Sequence, residues 1–162
     1  MHPKPGIEVR EATTKDATDI QRLAQELAET VGDAPPVEEA VRKRLEEILQ
    51  TPSARVLVVE DERGVVGAAS FWIKPDLAHG DTIVEVPMLV VAEDHRRNGV
   101  GRLLMEEVRS IASENGASLI ELVATTANVA AREFYHSLGF VEADVVTLEF
   151  VGSHEDPPQP EE

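Results

Sequence analysis

Thr82-Ile-Val-Glu-Val-Pro-Met-Leu-Val-Val91 is an apolar, β-branched run of strand length, and it leads straight into Ala92-Glu-Asp-His-Arg-Arg-Asn-Gly-Val-Gly101. The second stretch is a polar turn that ends in two glycines separated by one residue. Val100, Leu103, Leu104, Val108, Ile111 and Ala112 then recur at helical spacing, and Asn115-Gly116 reads as a C-cap. Residues 82–116 should therefore form a strand, a tight turn and a long helix. Glycines at a helix start leave backbone N–H groups facing outward with no Cβ in the way. With Arg96, Arg97 and Arg102 beside them, these amides make a candidate anion site suited to phosphate or pyrophosphate.

Two other readings compete for the same turn. A lone Gly-x-Gly after a strand is often only a tight connection. A dinucleotide-binding fingerprint would need a third glycine where this chain has Leu104, and a longer chain for its two-half sheet.

The rest of the chain is consistent with one domain over residues 1–151, because 162 residues suffice for a sizeable core. Residues 152–162 are acidic and proline-rich, and are expected to be disordered. No apolar run approaches the ~20 residues of a membrane span, and the N-terminus lacks a signal-peptide core. With no cysteine, disulfides, thiolate metal sites and a cysteine nucleophile are excluded. The expected setting is cytoplasmic. A formal net charge of −16 argues against nucleic acid and would draw cationic substrates, although solubility, or adaptation to a salty interior, is the expected role of most of these carboxylates. Against that background the arginines at the glycine turn are a local reversal of sign.

Upstream, residues 7–10 alternate as a short strand, and Thr13 with Asp16 resembles a capping box before a helix carrying Ala17, Ile20, Leu23, Ala24, Leu27 and Val31. A second helix is expected over residues 37–49. Residues 55–60 and 65–73 read as a hairpin joined by Asp61-Glu-Arg-Gly64. Downstream, residues 118–124 form a strand, 128–138 a helix, and 140–150 a last alternating stretch. The expected class is α+β: a central mixed, mostly antiparallel sheet flanked by helices, with a parallel strand–helix–strand unit inside it.

Arg96-Arg-Asn-Gly-Val-Gly101 resembles the Arg/Gln-x-x-Gly-x-Gly/Ala turn of the GNAT superfamily of N-acetyltransferases. Asn128-Val-Ala-Ala-Arg-Glu-Phe-Tyr-His-Ser-Leu-Gly-Phe140 is similar to a second signature of that family, in the matching order and context. The resemblance implies a GNAT-like acyl-CoA N-acyltransferase fold. It also implies acetyl-CoA as co-substrate, with its pyrophosphate on the amides of Arg96, Arg97, Asn98, Gly99, Val100, Gly101 and Arg102. The pantetheine arm would pair with the backbone of Leu89, Val90 and Val91, and Asn128 would contact the cofactor or cap its own helix. Pro87, which donates no N–H, suits a bulge in that strand or simply its end.

The reaction so implied is direct attack of a primary amine on the thioester. Tyr135 matches the family's general acid, and Glu85 its general base in histone-type members; the alternatives are a core tyrosine and a solvent-facing strand residue. A lysine-type amine, with a pKa near ~10.4, is almost wholly protonated at neutral pH, so a base matters most for that acceptor class. The five histidines form no metal-ligand spacing, and His79 and His95 read as surface loop residues. No metal is expected. Small amine, antibiotic, peptide N-terminus and protein lysine all stay open as acceptors, and a homodimer is compatible with the sequence. A non-catalytic acyl-CoA-binding or sensing module is the competing function; the presence of both Tyr135 and Glu85 favours the enzyme.

Overall fold

A computed structural model of the chain describes residues 6–150; the acidic tail expected to be disordered lies outside them. The elements run β1 (Glu8–Glu11), α1 (Ala17–Val31), α2 (Glu38–Leu49), β2 (Ala54–Asp61), β3 (Gly64–Asp76), β4 (Asp81–Val91), α3 (Val100–Glu114), β5 (Leu119–Leu122) and α4 (Val129–Ser137). Short 3-10 turns at Thr14–Asp16 and Glu93–His95 lead toward α1 and α3. The five strands form one sheet in sequence order. The first three pairings are antiparallel, and β4 with β5 is parallel, as a strand–helix–strand connection requires.

Local signals explain the ends of these elements. Thr13 and Asp16 form the expected capping box, with the Thr13 N–H donating to Asp16 Oδ2 at 2.8 Å. Asp16 is the one charged residue classed as buried among the described residues. Arg10 meets it with two donors at 2.8 and 2.9 Å and reaches Glu60 on β2 at 3.0 Å. The Arg10 hydrogen bonds hold the Asp16 carboxyl below its usual range, more than offsetting the burial that pushes it up. One arginine thus ties the start of α1 to the sheet.

Both faces of β3 are covered. Val65, Val66, Ala68, Ala69 and Phe71 are all buried, so side chains of both parities enter the core. Helix α3 lies on the face toward which Gly67 points. A Cβ built on Gly67 would come within 2.7 Å of Val100 Cγ1 and 3.3 Å of Leu104 Cδ1. A glycine in the sheet therefore lets the first turn of α3 sit directly on it.

Within β4, Met88 pairs with Ser70 and Glu85 with Trp72, so Val86 and Pro87 together oppose Phe71 alone. That is a β-bulge, and Pro87 sits inside it rather than at the strand's end. Beyond the bulge β4 loses its other neighbour, because the pairing with β5 runs from Ile83–Leu119 to Val86–Leu122 and stops.

The alternating stretch 140–150 is not a strand. Val141, Val145, Val146, Leu148 and Phe150 are all exposed, and β5 is the last strand of the sheet. Alternation specifies which side chains share a face, but a strand also needs a ladder to join.

Candidate functional site

The polar turn is built as a left-handed corner leading into a helix. Arg97 and Gly99 both have positive φ, at 68° and 85°. The conformation is easy for glycine and costly for arginine. Leu103 N donates to Gly99 O at 3.0 Å, which closes the first helical turn. The N–H groups of Val100, Gly101 and Arg102 precede that bond and so have no partner within the helix. No acidic residue stands in the first turn of α3. Arg96 folds back to donate from Nε to Val91 O at 3.3 Å, while Arg97 and Asn98 are exposed.

The two glycines of the turn have different structural duties. Gly99 supplies the backbone conformation at the N-cap. Gly101 is helical and buried, and a Cβ there would meet Phe134 Cζ at 2.8 Å. Its missing side chain makes room for α4, so the first motif meets the second here.

Helix α4 presents the second motif. Asn128 Oδ1 accepts from Ala131 N at 3.1 Å, which makes it the N-cap of its own helix. Tyr135 lies with ring centroids 5.2 Å from Phe134 and 5.8 Å from Phe140. Burial pushes its hydroxyl pKa up, so the phenol holds its proton at neutral pH and can donate it.

Between turn and helix runs the free edge of β4. Leu89, Val90 and Val91 pair with Ala69, Ala68 and Gly67 on one side and have no strand on the other. Their outward peptide groups can receive an extended ligand as a strand would. Glu85 stands before the bulge, beside Trp72 and Lys74, on the face opposite α3. It is not a lone carboxylate: Lys74 Nζ donates to its Oε2 at 3.0 Å, and both side chains are partly exposed.

His95 departs from the expectation of a surface loop residue. Its side chain is only 16% exposed, and its two ring nitrogens lie 2.9 Å from Asp94 Oδ1 and 2.9 Å from Asp61 Oδ2. The hydrogen bond to Asp94, then that to Asp61, raises its pKa above the ordinary histidine value. Asp61 is the last residue of β2, distant in sequence, and no local pattern around His95 announces it. His79 does sit exposed in the β3–β4 turn, hydrogen-bonded to Asp76 at 2.7 Å.

Residues 52–142 match the family described as the acetyltransferase (GNAT) domain. No curated protein matches the sequence. Among solved structures, a transcriptional regulator from Bacillus halodurans C-125 superposes with a TM-score of 0.79 at 21% identity, over 89% of this chain and 98% of that one. A possible acetyltransferase from Clostridium difficile 630 gives 0.76 at 20% identity, over 89% and 96%. An aminoglycoside acetyltransferase from an uncultured soil metagenomic sample gives 0.74 at 21% identity, over 90% and 96%. At these identities the likeness is one of fold.

Proposed function

The chain belongs to the GNAT acetyltransferase family, and from that premise we propose that it moves the acetyl group of acetyl-CoA to a primary amine by direct attack in a ternary complex. The observation that carries the reading is the continuous path from the open edge of β4, beyond the Pro87 bulge, to the uncapped amides of α3. Acetyl-CoA fits that path in kind: a pantetheine amide chain can pair with Leu89, Val90 and Val91, and a pyrophosphate suits the amides from Arg96 to Arg102 with their arginines.

In this reading the amine nitrogen attacks the thioester carbonyl, the C–S bond breaks, and the departing sulfur takes its proton from the Tyr135 hydroxyl. The amine proton leaves to Glu85, directly or through water. Lys74 holds Glu85 Oε2, so a cationic acceptor approaching that carboxylate meets an ammonium already in place. Asn128 spends its side-chain oxygen on the cap, which leaves its amide nitrogen for the cofactor. Amine-bearing small molecules are the favoured acceptor class. The net charge of −16 attracts cations, and an aminoglycoside acetyltransferase shares the fold.

The test is CoA release from acetyl-CoA over a panel of aminoglycosides, polyamines, amino acids and peptides. Turnover with at least one amine is expected, and Tyr135→Phe should lower it by about a hundredfold with acetyl-CoA affinity changed only a few-fold. Tight acetyl-CoA binding without turnover on any amine would favour a sensing module instead.

A further inference from the structure

We propose that His95, as an imidazolium held between Asp61 and Asp94, is a positioning residue for the acyl-CoA turn, and that losing its proton loosens the turn and weakens acetyl-CoA binding. The proposal rests on the reading of residues 96–102 as the pyrophosphate site. Geometry alone indicates the charged form. A neutral imidazole has a single N–H, yet both ring nitrogens of His95 lie 2.9 Å from carboxylate oxygens. Only the imidazolium can donate to both.

The carboxylates belong to different elements. Asp61 lies at the end of β2, and its other oxygen accepts from Arg63 N at 2.7 Å, so the β2–β3 turn aims Oδ2 at the ring. Asp94 and His95 lie in the 3-10 turn Glu93–His95, with His95 N bonded to Ala92 O at 2.9 Å. Arg96 follows at once, and Arg97, two residues on from His95, holds a positive φ of 68°. A non-glycine residue in that conformation persists only where its surroundings fix it. The His95 bridge supplies one such fixture from outside the turn.

Glu62 and Arg63 of the β2–β3 turn line the same cavity as His95, and Glu93 shares its 3-10 turn. Arg63, with His95, helps keep Asp61 and Asp94 ionised. His95, Asp61, Glu62, Arg63 and Asn98 line a shared cavity of about 300 Å³, so solvent protons reach the junction. The sign follows from the raised pKa. The bridge is complete below the ordinary value of 6.5 and is lost as pH rises through the higher folded-state value.

The experiment is calorimetric titration of the full chain with acetyl-CoA from about pH 5.5 to about pH 8.5, on the parent, His95→Gln and Asp61→Asn. His95→Gln carries no titrating group at this position, so its profile records the titration of the ligand and of every other group. Relative to that profile, parent affinity should fall by about tenfold across the range, the scale of one charge-assisted hydrogen bond. At high pH the two proteins should converge. Asp61→Asn should move the parent's transition to lower pH, and it keeps the test open if His95→Gln fails to fold by circular dichroism. Parallel profiles for parent and His95→Gln, or an unmoved transition in Asp61→Asn, would overturn the positioning role while leaving the acetyl-CoA site intact. No acetyl-CoA binding by the parent at any pH would overturn both readings.

Discussion

Helices α3 and α4 each carry one of the two family motifs, and they are fastened in different ways. Seven residues of α3 are buried, from Val100 and Gly101 in the first turn to Ile111 and Ala112 near its end. No residue of α4 is fully buried. Its anchors are fewer: Leu138 buried at its C-cap, Phe134 against Gly101, and Arg109 of α3, which donates to Leu138 O and lies 5.5 Å over the Phe140 ring. Arg132 adds a hydrogen bond to Thr126 O at 2.9 Å. Burial fixes α3, from its first turn onward, in the core, whereas α4 has only partly buried faces and leans on a few polar and aromatic anchors. Removing one anchor should therefore cost less than crowding the core.

The largest effect should come from Gly67→Val. The new side chain begins 2.7 Å from Val100 Cγ1, and α3 cannot withdraw without unpacking its buried face. We expect a loss of about 3 kcal/mol in urea unfolding, the upper end for core overpacking. A cost under about 0.5 kcal/mol would mean that α3 does not rest on the sheet there.

Asn128→Ala on α4 should cost about 1 kcal/mol in a thermal melt, the ordinary worth of an N-cap, and Asn128→Ser should restore most of it. If the side-chain amide also meets the cofactor, acetyl-CoA affinity will drop in both variants, which separates the two duties. Gly101→Ala should be the mildest. The methyl meets Phe134 at 2.8 Å, but that ring belongs to the lightly held helix, and alanine favours α3 by up to about 1 kcal/mol. A net change below about 1 kcal/mol is expected, with shifted ring resonances for Phe134 and Tyr135. Destabilisation matching Gly67→Val would erase the contrast between the helices.

What could be read in the sequence follows the same division. The strand, glycine turn and α3 were legible because apolar periodicity, glycines and caps are local, and each agreed with the others. Val100, Leu104, Val108, Ile111 and Ala112 are buried as their spacing predicts. The stretch 140–150 misled because its alternation carries no information about a partner strand. The surroundings of His95 are not local either, since Asp61 reaches it only after β2, β3 and β4 have paired. The second duty of Gly101 was hidden too, because the ring that needs its space lies far along the chain at Phe134.

The bulge at Val86 and Pro87 has a consequence for how β4 tolerates change. Register assigns Thr82 and Val84 to the same side as Leu89 and Val91, and Ile83 and Glu85 to the same side as Met88 and Val90. Even-numbered positions before the proline thus share surroundings with odd-numbered ones after it. A substitution scan along the strand should oscillate with a period of two, miss one beat at Pro87, and resume in opposite phase. The upstream and downstream halves can then diverge under separate constraints, as if they were two short strands joined end to end.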